Sequence, residues 1–298
     1  MDRRTFLGTA ALLLANARAT ARTPVLPGLQ LYTVMPLLEQ DFDGTLGLVA
    51  KIGYREVETI GAFGRDPAEV RDLLDKHGLR SPSQHMVPGA LYDVFNKLTR
   101  KELTFDEASR IWRQEMALER VEPVLHESIL RAKALGQKYI VWQILWPQQM
   151  QTRADLEKFC RALNKAGELC AREGHVLNFH NHAAEFEARD GIVPYDFILA
   201  NTDPRWVKLE IDLYWAVKAG VDPIQYFRRH AGRYRQCHLK DGTAGGEITV
   251  VGEGIMKFQP LIEAARAAGV EHYYVEQDGA ADPLGASRQA YDYLRRIT

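Results

Sequence analysis

The sequence predicts a single (β/α)8 TIM barrel, and three observations lead to it. Short apolar runs that read as strands alternate with amphipathic helical segments from about residue 27 to the end. Eight such pairs can be counted in a span close to the roughly 250 residues that eightfold barrels occupy. No G-x-G-x-x-G follows the first strand and no Walker A loop is present, which argues against a doubly wound nucleotide-binding sheet.

The elements follow in order. Pro27 to Tyr32 reads as the first strand and Gly44 to Ile52 as its helix. Arg55 to Ile60 is the second strand; its helix opens on Pro67, whose fixed φ suits a first helical position, and stops at Gly78. Leu79 to Met86 is the third strand. A longer excursion over residues 88–120 carries Tyr92, Phe95 and Trp112, a candidate lid or oligomer contact, and a helix then runs to Leu135 before Gly136. Tyr139 to Gln143 is the fourth strand, and Arg153 to Arg172 a long helix ending at Gly174. His175 to His182, Trp206 to Leu213, Tyr234 to Lys240 and His272 to Glu276 complete the eight strands. Helices over Asp222 to Arg229, Phe258 to Ala267 and Pro283 to Arg296 follow the last three.

Residues 1–21 stand apart from this pattern. Arg3-Arg4 precedes Phe6-Leu7 and the apolar run from Ala10 to Ala15, and small residues then alternate as far as Ala21. This is the arrangement of a secretory signal, and the arginine pair resembles a twin-arginine signal, with Asp2 where that motif usually has Ser or Thr. The expected location is therefore periplasmic, with residues 22–298 as the barrel domain and a folded, metal-loaded protein as the exported species.

Composition narrows the function. Lys plus Arg numbers 38 against 39 for Asp plus Glu, a net charge of −1, without the basic excess of a nucleic-acid binder. No apolar run reaches the roughly 18 residues of a membrane span, so no membrane association is expected after cleavage. Three cysteines, Cys160, Cys170 and Cys237, lack any C-x-x-C spacing and read as buried thiols. A small-molecule enzyme fits best.

Period-two alternation locates the chemistry. Along the last four strands one face is apolar (Leu177, Phe179; Val207, Leu209, Ile211; Cys237, Leu239; Val275) and packs outward against helices. The other carries Asn178, His180 and His182; Lys208, Glu210 and Asp212; Gln236, His238 and Lys240; and Tyr274, Glu276 and Asp278. Ionisable groups thus gather at the C-terminal strand ends, where barrel enzymes build active sites. His180, Asp212, His238 and Glu276 are the expected metal ligands. Two imidazoles and two carboxylates suit Mn²⁺, Zn²⁺, Co²⁺ or Fe²⁺ better than Ca²⁺, which prefers all-oxygen shells.

Leu29-Gln30-Leu31-Tyr32, Asn178-Phe179-His180-Asn181-His182, Glu210-Ile211-Asp212-Leu213-Tyr214-Trp215, Cys237-His238-Leu239-Lys240-Asp241 and Val251-Gly252-Glu253-Gly254 together resemble the xylose isomerase-like TIM barrel superfamily, and within it the sugar phosphate isomerase/epimerase group. The resemblance covers nearly all the chain beyond residue 21. It implies a divalent metal, often Mn²⁺, on His180, Asp212, His238 and Glu276, and a carbohydrate substrate. One departure matters: the epimerases place Glu on strand five where this chain has His180, so the opposing group in proton transfer must come from elsewhere.

The expected reaction is proton abstraction beside a carbonyl through an enediolate, giving isomerisation or epimerisation. Glu276, Lys240 and His182 are the candidate catalytic residues. Glu58, His85, Gln143, Trp142, Trp215 and Glu185 are candidate substrate contacts. The same enolate expelling a β-leaving group would make a keto-glycoside lyase or hydrolase, an outcome that export favours. A non-catalytic sugar-binding barrel and a metal-dependent endonuclease are the readings from other classes, the second opposed by the balanced charge.

Overall fold

The computed structural model describes residues 26–298, so the segment read as an export signal lies outside the described residues. Eight parallel strands close on themselves: β1 (Gly28–Gln30), β2 (Glu56–Ile60), β3 (Arg80–His85), β4 (Tyr139–Trp142), β5 (Val176–His180), β6 (Val207–Asp212), β7 (Tyr234–Leu239) and β8 (His272–Val275). Neighbours in sequence pair in space, and β8 closes against β1 through Gly28↔Tyr274 and Leu29↔Val275. The fold is the expected (β/α)8 TIM barrel.

Local chemistry sets the element boundaries. Asp66 accepts the Ala68 amide ahead of Pro67 at the start of Pro67–Lys76. Thr104 and Glu107 form a reciprocal capping box at Phe105–Glu115. Gly136, at φ 70°, ends Val121–Leu135 in the left-handed region that glycine enters without a Cβ penalty. The helix Arg153–Arg172 has the bounds read from sequence.

Several features depart from the sequence reading, Lys240 and Glu276 among them, each lying just past its strand end. The first strand stops at Gln30, whose side chain accepts the Tyr32 amide and turns the chain into a 3-10 segment, Leu31–Val34. The fifth strand ends at His180, placing Asn181 and His182 in the loop beyond it. Short helices Pro194–Asn201 and Leu213–Lys218 also appear, too brief for periodicity to reveal. In the second of these, Asp212 Oδ1 accepts the Tyr214 and Trp215 amides at 2.9 and 3.0 Å, so a strand-end carboxylate doubles as a helix cap.

The 88–120 excursion forms two helices, Leu91–Thr99 and Phe105–Glu115. Tyr32 meets Phe95 with ring centroids 6.4 Å apart, Phe95 meets Trp112 at 4.9 Å, and Trp112 meets Trp146 at 5.9 Å. Tyr32 follows β1 and Trp146 follows β4, so this aromatic chain seats the excursion on the C-terminal face of the barrel. The three cysteines are free and buried, as expected, and burial pushes the Cys160 and Cys170 thiols up to about 12.

Candidate active site

Polar side chains fill the barrel interior in two tiers. In the lower tier Glu58 accepts Gln30 Nε2 at 2.8 Å and Ser83 Oγ at 2.5 Å. Gln236 Nε2 reaches the same carboxylate at 3.4 Å and its amide oxygen accepts Asn178. These groups are fully buried. These hydrogen bonds across strands offset much of the desolvation cost that unpaired polar groups would incur, although Asn178 Oδ1 is buried without a partner.

Above them stands a cluster of imidazoles and carboxylates centred on His238. Its Nε2 lies 2.7 Å from Glu58 Oε2 and 3.3 Å from Glu210 Oε2, and its Nδ1 lies 2.9 Å from Glu276 Oε2. Glu210 Oε2 is also 3.0 Å from His180 Nδ1 and 3.2 Å from His85 Nε2. Burial opposes a charge on His85, yet Glu58 and Glu210 outweigh it and raise its pKa to about 9. At His180 burial wins and the pKa is lowered.

Among the described residues two groups of ligand atoms emerge, each with its atoms within 4.8 Å of one another: His85, His180, Glu210 and His238 in one, and Asp212, His238 and Glu276 in the other. The four residues grouped from sequence therefore divide between them. His180 falls in the first, Asp212 and Glu276 in the second, and His238 belongs to both. Either donor set, imidazole nitrogens with carboxylate oxygens, suits a divalent transition metal. Glu210 Oε1 is buried without a hydrogen-bond partner, and Asp212 Oδ2, also without one, faces Lys240 Nζ at 3.4 Å.

At the strand ends Lys240 Nζ sits 3.0 Å from Glu276 Oε2, 3.4 Å from Asp212 Oδ2 and 2.9 Å from Asp278 Oδ2. Burial opposes its charge, but these three carboxylates hold its pKa well above the ordinary lysine value. Trp215 lies across this group, its ring 5.1 Å from Lys240 Nζ and 6.0 Å from the His182 ring. Burial keeps His182 neutral, and its Nδ1 is buried without a partner.

This geometry can be set beside known proteins. The xylose isomerase-like TIM barrel family matches residues 46–297. The chain belongs to that family. An inosose dehydratase of Geobacillus kaustophilus is 25% identical over 292 residues, covering 86% of this chain and 87% of that protein. The one from Geobacillus thermodenitrificans is 30% identical over 167 residues, where the chain spans about half of that relative's length (55%) and 48% of its own. A sugar phosphate isomerase/epimerase from Parabacteroides distasonis superposes with a TM-score of 0.74 at 23% identity, covering 93% of this chain and 96% of that one. The chain is an enzyme of the xylose isomerase-like family.

Within this xylose isomerase-like barrel the expected substrate contacts fall in different places. Glu58 and His85 are buried among the imidazoles and carboxylates rather than at the rim. Gln143 and Trp215 lie just past strand ends; both amide atoms of Gln143 and the indole nitrogen of Trp215 are buried and unpartnered. Glu185 is fully buried and accepts the His182 amide at 3.0 Å. Trp142 is a correction: it is turned away from the mouth, its ring 5.2 Å from Phe159 of the 153–172 helix. Alternation on β4 explains this, because Ile140 and Trp142 share the outward face while Val141 points inward.

Glu210, Asp278 and Asn181 gained no role from sequence reasoning. Glu210 shares the inward face with Asp212, and Asp278 continues the alternation of Tyr274 and Glu276, so period two was the available signal. Asn181 exchanges hydrogen bonds with the Asp212 backbone, donating to its carbonyl at 3.3 Å and accepting its amide at 3.2 Å. It ties the β5 and β6 ends together in a loop, where no periodicity marks it.

Proposed function

We propose that this enzyme acts on a carbohydrate carrying a keto group, removing a proton beside the carbonyl at a metal-assisted site. The observation that carries the reading is the buried Lys240–Glu276 ion pair at 3.0 Å beside the His182 imidazole, whose Nδ1 has no hydrogen-bond partner and whose pKa burial lowers. Lys240 is a fixed positive charge suited to an oxyanion developing on the substrate. Glu276 stays ionised because Lys240 and His238 together outweigh its burial. His182 can take a proton on its free nitrogen, and so supplies a second proton-handling group where the epimerases of the family use a strand-five carboxylate. A divalent cation bound at His238 would polarise the carbonyl and make the adjacent C–H more acidic, and Mn²⁺ is the ion proposed, with Zn²⁺, Co²⁺, Mg²⁺ and Fe²⁺ as alternatives.

Two outcomes share this first step. Reprotonation gives an epimer or isomer, whereas loss of a group from the next carbon gives a lyase. Structural likeness to a 3-keto-D-glucoside 4-epimerase from E. coli, with TM-score 0.62, supports the shared fold at 17% identity. The sequence relatives named as dehydratases support the eliminating branch. Asp278 lies 2.9 Å from Lys240 Nζ at the same strand ends, its pKa raised by burial, by Glu276 and by Asp212 despite Lys240. The arginine pair at Arg3-Arg4 supports the proposal that the protein works outside the cytoplasm.

The deciding experiment is solvent deuterium exchange into keto sugars and keto-glycosides, followed by mass spectrometry. Label should enter the carbon next to the carbonyl with the metal-loaded protein and fall at least a hundredfold in Glu276→Gln. If no label enters any such compound while the protein is folded and metal-loaded, the reading is wrong.

A further inference from the structure

Between the 88–120 excursion, the loop after β4 and the start of the 153–172 helix lies a cavity of about 290 Å³. That is close to the lower bound of the roughly 300–1,000 Å³ of small-molecule pockets, room for one ring and little more. Its charges balance, Arg113 and Lys158 against Glu119 and Asp155, which suits a neutral ligand. Most of them are also engaged. Lys158 Nζ lies 2.7 Å from Glu119 Oε1, and Asp155 Oδ2 accepts the Thr152 amide and hydroxyl at 2.9 and 2.7 Å. Arg113 pairs with no carboxylate among the described residues; its guanidinium lies 5.4 Å from the centroid of the Trp146 ring. Trp146 is 7% exposed, and its indole Nε1 is buried without a partner. A buried donor with no acceptor is costly, and a ligand oxygen that accepts from it removes that cost. A stacked guanidinium beside an unmet indole N–H is thus a pre-placed pair of donors for sugar oxygens.

The cavity is joined to the reacting groups by a single loop. Gln143 follows β4 directly, and both of its amide atoms are buried and unpartnered. Trp146 comes three residues later, a separation that the backbone can stretch to no more than about 10 Å. From the other side, Tyr32 begins the ring chain that runs through Phe95 and Trp112 to Trp146. The charges of Asp278, Glu276 and Lys240 all act on the Tyr32 hydroxyl, so that chain starts at the strand ends of the candidate site. Unmet polar groups therefore stand at both ends of one short loop, and a molecule of two linked rings can engage Gln143 and Trp146 together.

We infer that the Arg113–Trp146 cavity is an outer subsite for a second, neutral glycosyl ring, so that the substrate is a keto-glycoside rather than a free keto sugar. This rests on the proposed reaction and specifies its substrate. The ring that loses a proton lies at Lys240 and Glu276, Gln143 meets hydroxyls near the linkage, and Arg113 and Trp146 hold the ring that does not react. Contacts to a remote ring fix the reacting carbon against the base, so a substrate cut back to one ring should lose rate as well as affinity.

The test is calorimetric titration with glucose, maltose and cellobiose, probes that carry one or two rings and need no turnover. At least one disaccharide should bind about tenfold or more tightly than glucose. That advantage should vanish in Arg113→Gln and shrink in Trp146→Phe, which keeps a ring but lacks the indole N–H, while the affinity for glucose stays within about twofold. Disaccharides that bind no more tightly than glucose overturn the inference, as does an advantage that survives both substitutions. Sodium glucuronate that outbinds both disaccharides and depends on Arg113 makes the cavity an anion site and overturns it too. Deuterium exchange separates this inference from the reading beneath it. A disaccharide advantage with no exchange into any keto compound sinks the proposed reaction and leaves the subsite standing. Equal exchange into keto sugars and keto-glycosides sinks the subsite and leaves the reaction.

Discussion

Asp241 and Gly254 meet as carboxylate and backbone amide, Oδ2 accepting the Gly254 N–H at 3.1 Å. The same carboxylate accepts the Gly252 amide at 3.0 Å, the Met256 amide at 3.1 Å and the amide of its neighbour Gly242 at 2.8 Å. One buried side chain, next in sequence to the lysine of the site, thus organises the Val251-Gly252-Glu253-Gly254 loop. A Cβ on Gly254 would collide with the Asp241 carboxylate and the Gly242 carbonyl.

Asp241→Ala should therefore cost several kcal/mol, since about 1–3 kcal/mol attaches to each buried donor left unsatisfied. Gly254→Ala should destabilise through the collision, at a position where no flexible side-chain end can yield. Urea unfolding measures both. A loss below about 1 kcal/mol in Asp241→Ala would show that water replaces the carboxylate.

Glu185 gives a pH dependence. Burial raises its pKa to about 7 from 4.5, although hydrogen bonds from the backbone partly oppose this. An acid whose pKa is higher in the folded state stabilises the fold below its unfolded pKa, and that contribution disappears as pH rises through the folded value. The window here runs from about pH 4.5 to 7, for an effect on the order of 3 kcal/mol. Glu185→Gln cannot ionise, so its melting temperature should gain on the wild type as pH rises from 5 to 8. A difference that stays constant with pH would refute the assignment.

What the sequence reveals depends on whether chemistry follows a period. His180, Asp212, His238 and Glu276 all sit at inward positions of strands whose outward residues are apolar, and alternation placed them inside the barrel. It could not place them in height. His180 and Glu210 occupy neighbouring strands in register, His180↔Glu210, and so meet, while Asp212 pairs with His238. A ladder shift between Leu209 and Glu210 helps set these levels, and no local pattern announces it. Glu185, Asn181 and the Trp112–Trp146 contact lie in loops or helices brought together by closure, where residue identity alone carries no spacing signal. Trp142 shows the converse: being at a strand end did not decide which face it took.

The aromatic seat of the excursion predicts local opening. Phe95, Trp112 and Trp146 form consecutive edge contacts, and Arg113 stacks over the Trp146 ring at 5.4 Å. Trp112→Ala removes the middle ring; Trp112 is half-buried, so the loss should fall below the roughly 3–5 kcal/mol of a fully buried aromatic truncation. Because the excursion is a local unit on the barrel face, the loss should appear as faster amide exchange over residues 91–115, with β5 to β8 unchanged. Hydrogen-exchange mass spectrometry separates this from uniform destabilisation of the whole chain, which would show that the excursion and barrel open together.

Lys240 is the remaining test, because its ammonium faces Glu276, Asp212 and Asp278 at once. Lys240→Met keeps much of the stem but leaves these carboxylates without their cation, a change that costs about 3–5 kcal/mol in buried pairs. The penalty belongs to the unpaired charge rather than to the lost contact, so removing one of the charges should return part of it. The double variant Lys240→Met with Glu276→Gln should therefore be less destabilised than the sum of the single changes, by about 1–3 kcal/mol in a double-mutant cycle. Deuterium exchange should be lost in all three variants, since the proposed reaction needs both groups. Strict additivity of the two stabilities would show that Lys240 is balanced by Asp212 and Asp278 alone, and that Glu276 is held in place by His238.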